Sequence, residues 1–257
     1  MNKIDIQHIF VNYHSMKSET EAIKDISFKL KKGEFLSVVG PSGCGKSTLL
    51  NVICGLIKPS KGHIFMDGKE IKGLTTKIGY MFQRDHLFEW LTVWDNVCIG
   101  LKVQHKLTKE NKDKLEDLLV HYGLEDFKNY HPSELSGGMR QRVALIRTLA
   151  LDPEVLLLDE PFSALDYQSR LKASDEIFKI IKQENKTAIM VTHDISEAIS
   201  MSGRVIVLSN RPARIKKDIA IDFQDDSLTP LNRREHPKFR YYFDSIWKEF
   251  DLNDSGK

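Results

Sequence analysis

Gly40-Pro41-Ser42-Gly43-Cys44-Gly45-Lys46-Ser47-Thr48 meets every position of the phosphate-binding pattern G-x-x-x-x-G-K-[ST]. Small residues let consecutive backbone N–H groups turn inward around a polyanion, and the helix that follows presents the positive end of its dipole. Lys46 then supplies a point charge to the β- and γ-phosphates of a nucleoside triphosphate, and Ser47 offers a hydroxyl to Mg²⁺. The flanks agree: residues 34–39 read as a short buried strand and residues 48–54 as a helix. A Gly-rich turn matching by chance would not require that strand–loop–helix order.

Working outward, 257 residues with 41% hydrophobic and 29% charged suffice for one large α/β domain or a core with an inserted subdomain. Lys plus Arg 38 against Asp plus Glu 36 leaves +2, a balance that favours neither nucleic acid nor an acidic membrane surface as the main partner. Cys44, Cys54 and Cys98 form no C-x-x-C pair, which suits a reducing compartment. Cys44 lies in the phosphate loop near a helix start, where a thiol pKa can fall; the plainer reading is a small residue filling a loop position. No apolar run approaches the roughly 20 residues of a membrane span and the first residues carry no apolar signal core, so any role at a membrane is expected to come through a partner.

Residues 3–11 and 21–30 alternate apolar positions (Ile4, Ile6, Ile9, Val11; Ile23, Ile26, Phe28, Leu30), predicting two half-buried antiparallel strands, with another short strand between Pro59 and Gly68. Leu115, Leu118, Leu119 and Tyr122 recur at helical spacing, as do Val143, Ile146, Leu149 and Ala150. Residues 154–158, 188–192 and 205–208 are continuous apolar runs of central-strand length. Together these predict an open α/β sheet with a helical segment inside it. In the tail, Phe239, Phe243, Ile246, Trp247 and Phe250 fall on one helical stripe after Pro237, expected to pack on the body, and the end from Asp251 is polar.

Two more segments carry chemistry. Asp159-Glu160 follows a buried strand, so two carboxylates stand where open α/β sheets bind ligands: Asp159 suits Mg²⁺, and Glu160 suits polarisation of an attacking water. Ser136-Gly137-Gly138 opens a helix whose N-terminus and Ser136 hydroxyl can meet a second anion. With the phosphate loop upstream and Asp159-Glu160 downstream, Leu135-Ser136-Gly137-Gly138-Met139-Arg140-Gln141-Arg142 resembles the signature sequence of ATP-binding cassette (ABC) proteins.

That resemblance runs from residue 3 to about 215. It implies a P-loop NTPase (RecA-like) core with an antiparallel β subdomain and an inserted α-helical subdomain: an ATPase domain over 1–225, its insert at about 84–150, and a partly helical tail over 226–257. It implies that Gln83 contacts Mg²⁺ or the attacking water, that Asp166 in the 163–166 loop lies at a dimer interface, and that His193 senses the γ-phosphate. Tyr13 stands where the family places an aromatic that stacks on adenine, with His14 as neighbouring competitor. ATP and Mg²⁺ are the implied cofactors. The implied assembly is a head-to-tail pair in which Ser136 and Gly138 of one copy complete the γ-phosphate site formed by Lys46 of the other.

The task implied is driving a membrane transporter from the cytoplasmic face, with permease subunits on separate chains, a solute-binding protein as indirect partner and no nucleic acid. Residues 83–97, rich in large apolar side chains, are expected to line a groove for a permease helix, some of them packing instead as subdomain core. Leu87, Trp90, Thr92 and Val93, with Arg211-Pro212-Ala213-Arg214-Ile215, are similar to importers of nitrate, sulfonates and taurine; Glu89 departs, standing where those usually have proline. An exporter ATPase or a non-transport cassette ATPase, such as one in iron–sulfur assembly, would share the catalytic motifs. A phosphate-loop kinase would leave Ser136-Gly137-Gly138 unexplained.

Overall fold

The computed structural model describes residues 2–14, 19–163 and 165–251. In chain order the strands are β1 (Asn2–His14), β2 (Glu19–Lys31), β3 (Phe35–Val39), β4 (Lys61–Met66), β5 (Lys69–Glu70), β6 (Ile78–Met81), β7 (Val155–Asp159), β8 (Thr187–Thr192), β9 (Arg204–Leu208) and β10 (Ile215–Ala220). The helices are α1 (Lys46–Ile53), α2 (Val93–Val103), α3 (Lys109–His121), α4 (Gly137–Leu149), α5 (Tyr167–Gln183), α6 (Ile195–Met201), α7 (Pro230–Glu235) and α8 (Pro237–Asp251). Ala164 and the polar end beyond Asp251 lie outside the described residues, as does the side chain of His14. The chain divides into two compact units, one of residues 1–75 with 174–257, the other of residues 76–173.

In the first unit β3 lies between β8 and β9 and runs parallel to both, while β10 pairs antiparallel with β9. Every residue of β3 and β8 is buried, as expected of parallel strands covered on both faces and read as unbroken apolar runs. Val39 is in register with Thr192, so the segments leaving β3 at Gly40 and β8 at His193 start side by side at the same sheet edge. The second sheet of this unit is antiparallel, in the order β2-β1-β4-β5. Its alternating positions pair Ile4 with Leu30 and Ile6 with Phe28, and these four side chains are buried. The segment after β9 joins the same unit: the Ala213 amide donates to Ala22 O and the Lys24 amide to Ala213 O, both at 2.9 Å.

Helix α8 covers a cluster containing Val39, Ile199, Val207 and Phe223 with Tyr242 and Ile246, and Phe239, Phe243 and Phe250 pack at its margin. Two positions differ from the apolar stripe read in the sequence. Trp247 is half-exposed, stacked on Phe243 with ring centroids 5.9 Å apart, and Tyr242 takes a buried place instead. Tyr242 shares the face of Phe239 and Ile246 by its spacing of three and four. Its hydroxyl donates to Asp222 O and accepts from Asp222 N, both at 3.0 Å, so the ring is buried without an orphaned polar atom.

The second unit pairs β6 and β7 in parallel, Met81 opposite Leu158, and carries α2, α3 and α4. Each of these helices starts at a hydroxyl cap: Thr92, Thr108 and Ser136 accept from the backbone N–H three residues on. Helix α2 packs on α4. Its Asn96 is fully buried and holds the preceding turn, accepting from Phe88 N at 2.8 Å and donating to the carbonyls of Phe88, Leu91 and Thr92. Packing of β6 against the end of α4 and the segment before β7 needs Gly79, because a Cβ there would lie 2.8 Å from Pro153 Cγ and 2.9 Å from Thr148 Cγ2.

Ile246 is fully buried against the cluster that backs Val39, the residue before the phosphate loop. Ile246→Ala should cost about 2–5 kcal/mol in chemical denaturation. A loss below about 0.5 kcal/mol would show that α8 does not contribute to this core.

Candidate functional site

The first unit supplies a phosphate cradle. Gly43 and Gly45 hold φ of +71° and +122°, left-handed backbone that side chains resist. A Cβ on Gly45 would also lie 3.1 Å from Ala22 O, tighter than an ordinary contact. Gly45 caps α1, so the loop amides and the helix start face one concavity. Lys46 is 6% exposed, and its ammonium donates to Gly40 O at 2.8 Å and Pro41 O at 2.9 Å. A buried cation held by neutral carbonyls is stabilised by an anion brought to it, so cradle and cation together fit a polyphosphate.

Three other residues of this unit frame the cradle. Ser47 is exposed beside Lys46 at the start of α1. Tyr13, at the end of β1, is 43% exposed, and its hydroxyl lies 3.2 Å from Thr48 Oγ1, leaving a ring face open next to the phosphate loop. His193 is exposed on the turn between β8 and α6. That turn is fixed by Thr192 Oγ1, which donates to Glu197 Oε2 at 2.7 Å and accepts from Asp194 N, and by Asp194, which caps α6.

Arg211 is the residue whose role here was not legible. Sequence reading placed it only by resemblance, yet its Nη2 donates to Gly43 O at 2.8 Å and braces the phosphate loop from 168 positions away. Cys44 answers differently from the reactive thiol considered above. It is 1% exposed, and burial raises its pKa against the lowering influence of Lys46.

The second unit supplies the acidic elements. Asp159 closes β7 and is 5% exposed, and Tyr80 from β6 donates its hydroxyl to Asp159 Oδ2 at 3.3 Å. Tyr80 also stacks on Phe82 with centroids 4.2 Å apart, tying the acid to the segment that carries Gln83. Glu160 has φ +47°, an uncommon conformation for a non-glycine residue and one that recurs where a side chain must be aimed. Gln83 Nε2 donates to Glu160 Oε2 at 3.0 Å, so the structure brings these two expected residues together. Ser47 in the first unit and Asp159 in the second each carry a hard oxygen donor of the kind Mg²⁺ takes.

Ser136 and Gly137 are exposed at the start of α4, with Ser136 Oγ accepting from Met139 N. Asp166 caps α5 from an exposed loop, accepting from the amides of Gln168 and Ser169 at 3.0 Å. Hydrogen bonds from Ser169 foremost hold its pKa below the usual carboxylate range.

Between Gln83 and Glu89 the chain borders an open groove of about 640 Å³, whose other walls include Arg140, Gln141 and Ser163. Arg140 Nε and Nη2 donate to the two oxygens of Asp85 at 2.7 and 3.0 Å, and Nη2 also reaches Glu89 Oε1 at 2.7 Å. Burial alone would raise the pKa of Asp85, but Arg140 and the Leu87 amide outweigh it and hold the carboxyl below its ordinary value. The Asp85 bonds, and then those to Glu89, push Arg140 further up.

The phosphate cradle with its buried lysine in one unit, and the strand-end pair of carboxylates in the other, place the chain in the class of P-loop nucleoside-triphosphate-binding proteins. The protein belongs to the ABC transporter family: the family model described as ABC transporter matches residues 23–163. It is 46% identical over 251 residues to the uncharacterised ABC transporter ATP-binding protein YtlC of Bacillus subtilis, covering 98% of this chain and 96% of that protein. It is 42% identical to the taurine import ATP-binding protein TauB of Ruegeria pomeroyi, covering 88% and 84%. With the nitrate import ATP-binding protein NrtD of Synechocystis it shares 41%, covering 94% and 91%. Among solved structures, the ATP-binding cassette MJ0796, a dimer bound to ADP and Pi in a post-hydrolysis state, superposes with TM-score 0.76 at 32% identity, covering 85% of this chain and 99% of that one. The chain is thus an ABC ATPase that binds and hydrolyses ATP in the service of transport, and no helix among the described residues is long and apolar enough to cross a membrane.

Burial also raises the thiol pKa of Cys54, and that of Cys98 to about 11, so all three thiols are protonated and enclosed at neutral pH. Because burial raises the pKa and withholds the reactive thiolate at neutral pH, the native protein should react with a disulfide reagent at pH 7.5 at least about tenfold more slowly than the unfolded chain. Stoichiometric labelling of native Cys44 within seconds would contradict this.

Proposed function

We propose that this chain is the ATPase subunit of an importer for a small solute such as nitrate, a sulfonate or taurine, working as a head-to-tail pair beneath separate permease subunits on the cytoplasmic face of the membrane. The importer class is supported by the taurine and nitrate import proteins to which the chain is similar over most of its length. The paired arrangement is supported by two observations: the similar cassette MJ0796 is a dimer bound to ADP and Pi, and Ser136 and Gly137 stand exposed at a hydroxyl-capped helix start. Such a start is an anion-binding end in search of a phosphate, and a second copy supplies one.

In this mechanism Tyr13 stacks on adenine, and Lys46 with the amides of residues 40–48 holds the phosphates. Ser47, Gln83 and Asp159 would hold Mg²⁺, which would offset phosphate charge. Glu160, positioned by Gln83, draws a proton from water as its oxygen attacks the γ-phosphorus and the bond to the β–γ bridging oxygen breaks, releasing ADP and phosphate. His193 meets the γ-phosphate, and Ser136, Gly137 and Gly138 of the partner copy close over it, with Asp166 at the shared interface. ATP favours the closed pair because it touches both copies; hydrolysis removes that differential contact.

Trp90 is 74% exposed and Phe88 lies against it with ring centroids 5.2 Å apart, beside the groove at residues 83–89. An aromatic surface of this kind suits a docked permease helix, with a solute-binding protein acting through that permease. Purification should therefore recover the chain with a permease pair, and reconstitution should give ATP-dependent solute uptake. Recovery with a soluble scaffold complex instead would overturn the importer assignment.

Glu160→Gln should slow hydrolysis by about 10²–10⁴-fold while retaining ATP and accumulating dimer on size exclusion; wild-type turnover would remove Glu160 from the role. Ser136→Arg should abolish hydrolysis with unchanged ATP affinity of the single chain. Normal activity in that variant would refute the composite site.

A further inference from the structure

Helix α4 carries the exposed Ser136–Gly138 start, and a four-residue step along it changes the chemistry. The Arg140 amide makes the first helical hydrogen bond, to Ser136 O at 3.0 Å, while the guanidinium of the same residue grips Asp85 through Nε and Nη2 and reaches Glu89. Two turns further on, Arg147 Nη1 donates to His86 O at 2.7 Å and its Nη2 to Asp85 O at 2.5 Å. The loop that begins at Gln83 is therefore fastened to α4 at two points, through its side chains by Arg140 and through its backbone by Arg147. Its two ends are held as well, Gln83 donating to Glu160 and the Phe88 amide donating to Asn96.

We propose that Arg140 is a positioning residue that locks the Gln83 loop to the helix start at Ser136–Gly138, so that the two elements move as one body. This rests on reading Ser136–Gly138 as the part that completes the partner's ATP site. The element that touches Glu160 within one copy is then mechanically continuous with the element offered to the other copy. Pressure on the groove wall formed by residues 83–89 is delivered to Ser136 by the same route.

The geometry ranks the participants. Asp85 and Arg140 have side chains 20% and 23% exposed and share a two-bond fork, whereas Glu89 is 55% exposed. Glu89 receives a second bond from Arg140 Nη1, long at 3.4 Å, but a partly buried, short fork resists parting better than an exposed one, so Asp85 carries the lock and Glu89 adds to it. A lysine cannot reproduce the fork.

The test is steady-state ATPase of the full chain against ATP concentration, with thermal unfolding and single-chain ATP affinity measured beside it, for Arg140→Gln, Arg140→Lys, Asp85→Asn and the Arg140→Gln/Asp85→Asn double variant. Arg140→Gln and Asp85→Asn should each lower kcat roughly tenfold and bring the Hill coefficient for ATP toward 1, with single-chain ATP affinity within about twofold of wild type. The double variant should be no slower than either single one, since both cut the same connection. Arg140→Lys should recover only part of the loss. Wild-type kcat and cooperativity in Arg140→Gln, or losses that multiply in the double variant, would overturn the proposal. If Arg140→Gln does not fold, the comparison of Asp85→Asn with Asp85→Glu decides it, cooperative turnover in Asp85→Asn counting against the lock. Ser136→Arg measured alongside separates the two claims: full activity there defeats the reading of Ser136, whereas lost activity there with an unaffected Arg140→Gln defeats the lock alone.

Discussion

A buried ammonium with neutral partners sets the terms for the rest of this protein. Lys46 is held inside the loop by two carbonyls, within a ring of backbone that left-handed glycines keep free of side chains. Keeping an unneutralised charge out of water is costly, and the cost is relieved when a polyphosphate arrives. The fold is arranged to hold that geometry. β3 is buried along its length, β8 is in register with it, Arg211 braces the loop through Gly43 O, and Ala213 ties the same segment to β2. Helix α8 covers the cluster under Val39.

The second unit meets a different requirement: it must aim an acid and keep it aimed. Glu160 sits in a strained backbone conformation and is hydrogen-bonded by Gln83, while Asp159 accepts from Tyr80. Strain of this kind, of order 1–3 kcal/mol, persists only where surrounding contacts over-determine the position. Here those contacts run through β6, the 83–89 loop and α4, so the groove wall, the acid's partner and the exposed helix start share one framework.

The parts of the site legible in the sequence are those whose spacing is local. The phosphate loop, Asp159-Glu160 after a buried run and Ser136-Gly137-Gly138 before a helical pattern each declare a strand end or a helix start within a few residues. Resemblance added Gln83, Asp166, His193 and Tyr13, and the antiparallel pairing of β1 with β2 followed from alternation. What stayed hidden depends on approaches across the chain: Arg211 to Gly43, Tyr80 to Asp159, Arg140 to Asp85 and Glu89. No periodicity encodes them. The α8 stripe shows the same limit, since Tyr242 is buried because a backbone carbonyl and amide happen to meet its hydroxyl, while Trp247 shares the stripe and stays half-exposed.

The central claim is that one chain supplies half of an ATP site. Mixing two inactive variants tests it most directly: Lys46→Ala, which loses the phosphate cradle's cation, and Ser136→Arg, which blocks the exposed helix start. In a mixed pair the intact Lys46 of one chain faces the intact Ser136 of the other, so hydrolysis should reappear on mixing, above the sum of the separate rates and rising with protein concentration. A mixture that stays as inactive as its two components would contradict the account.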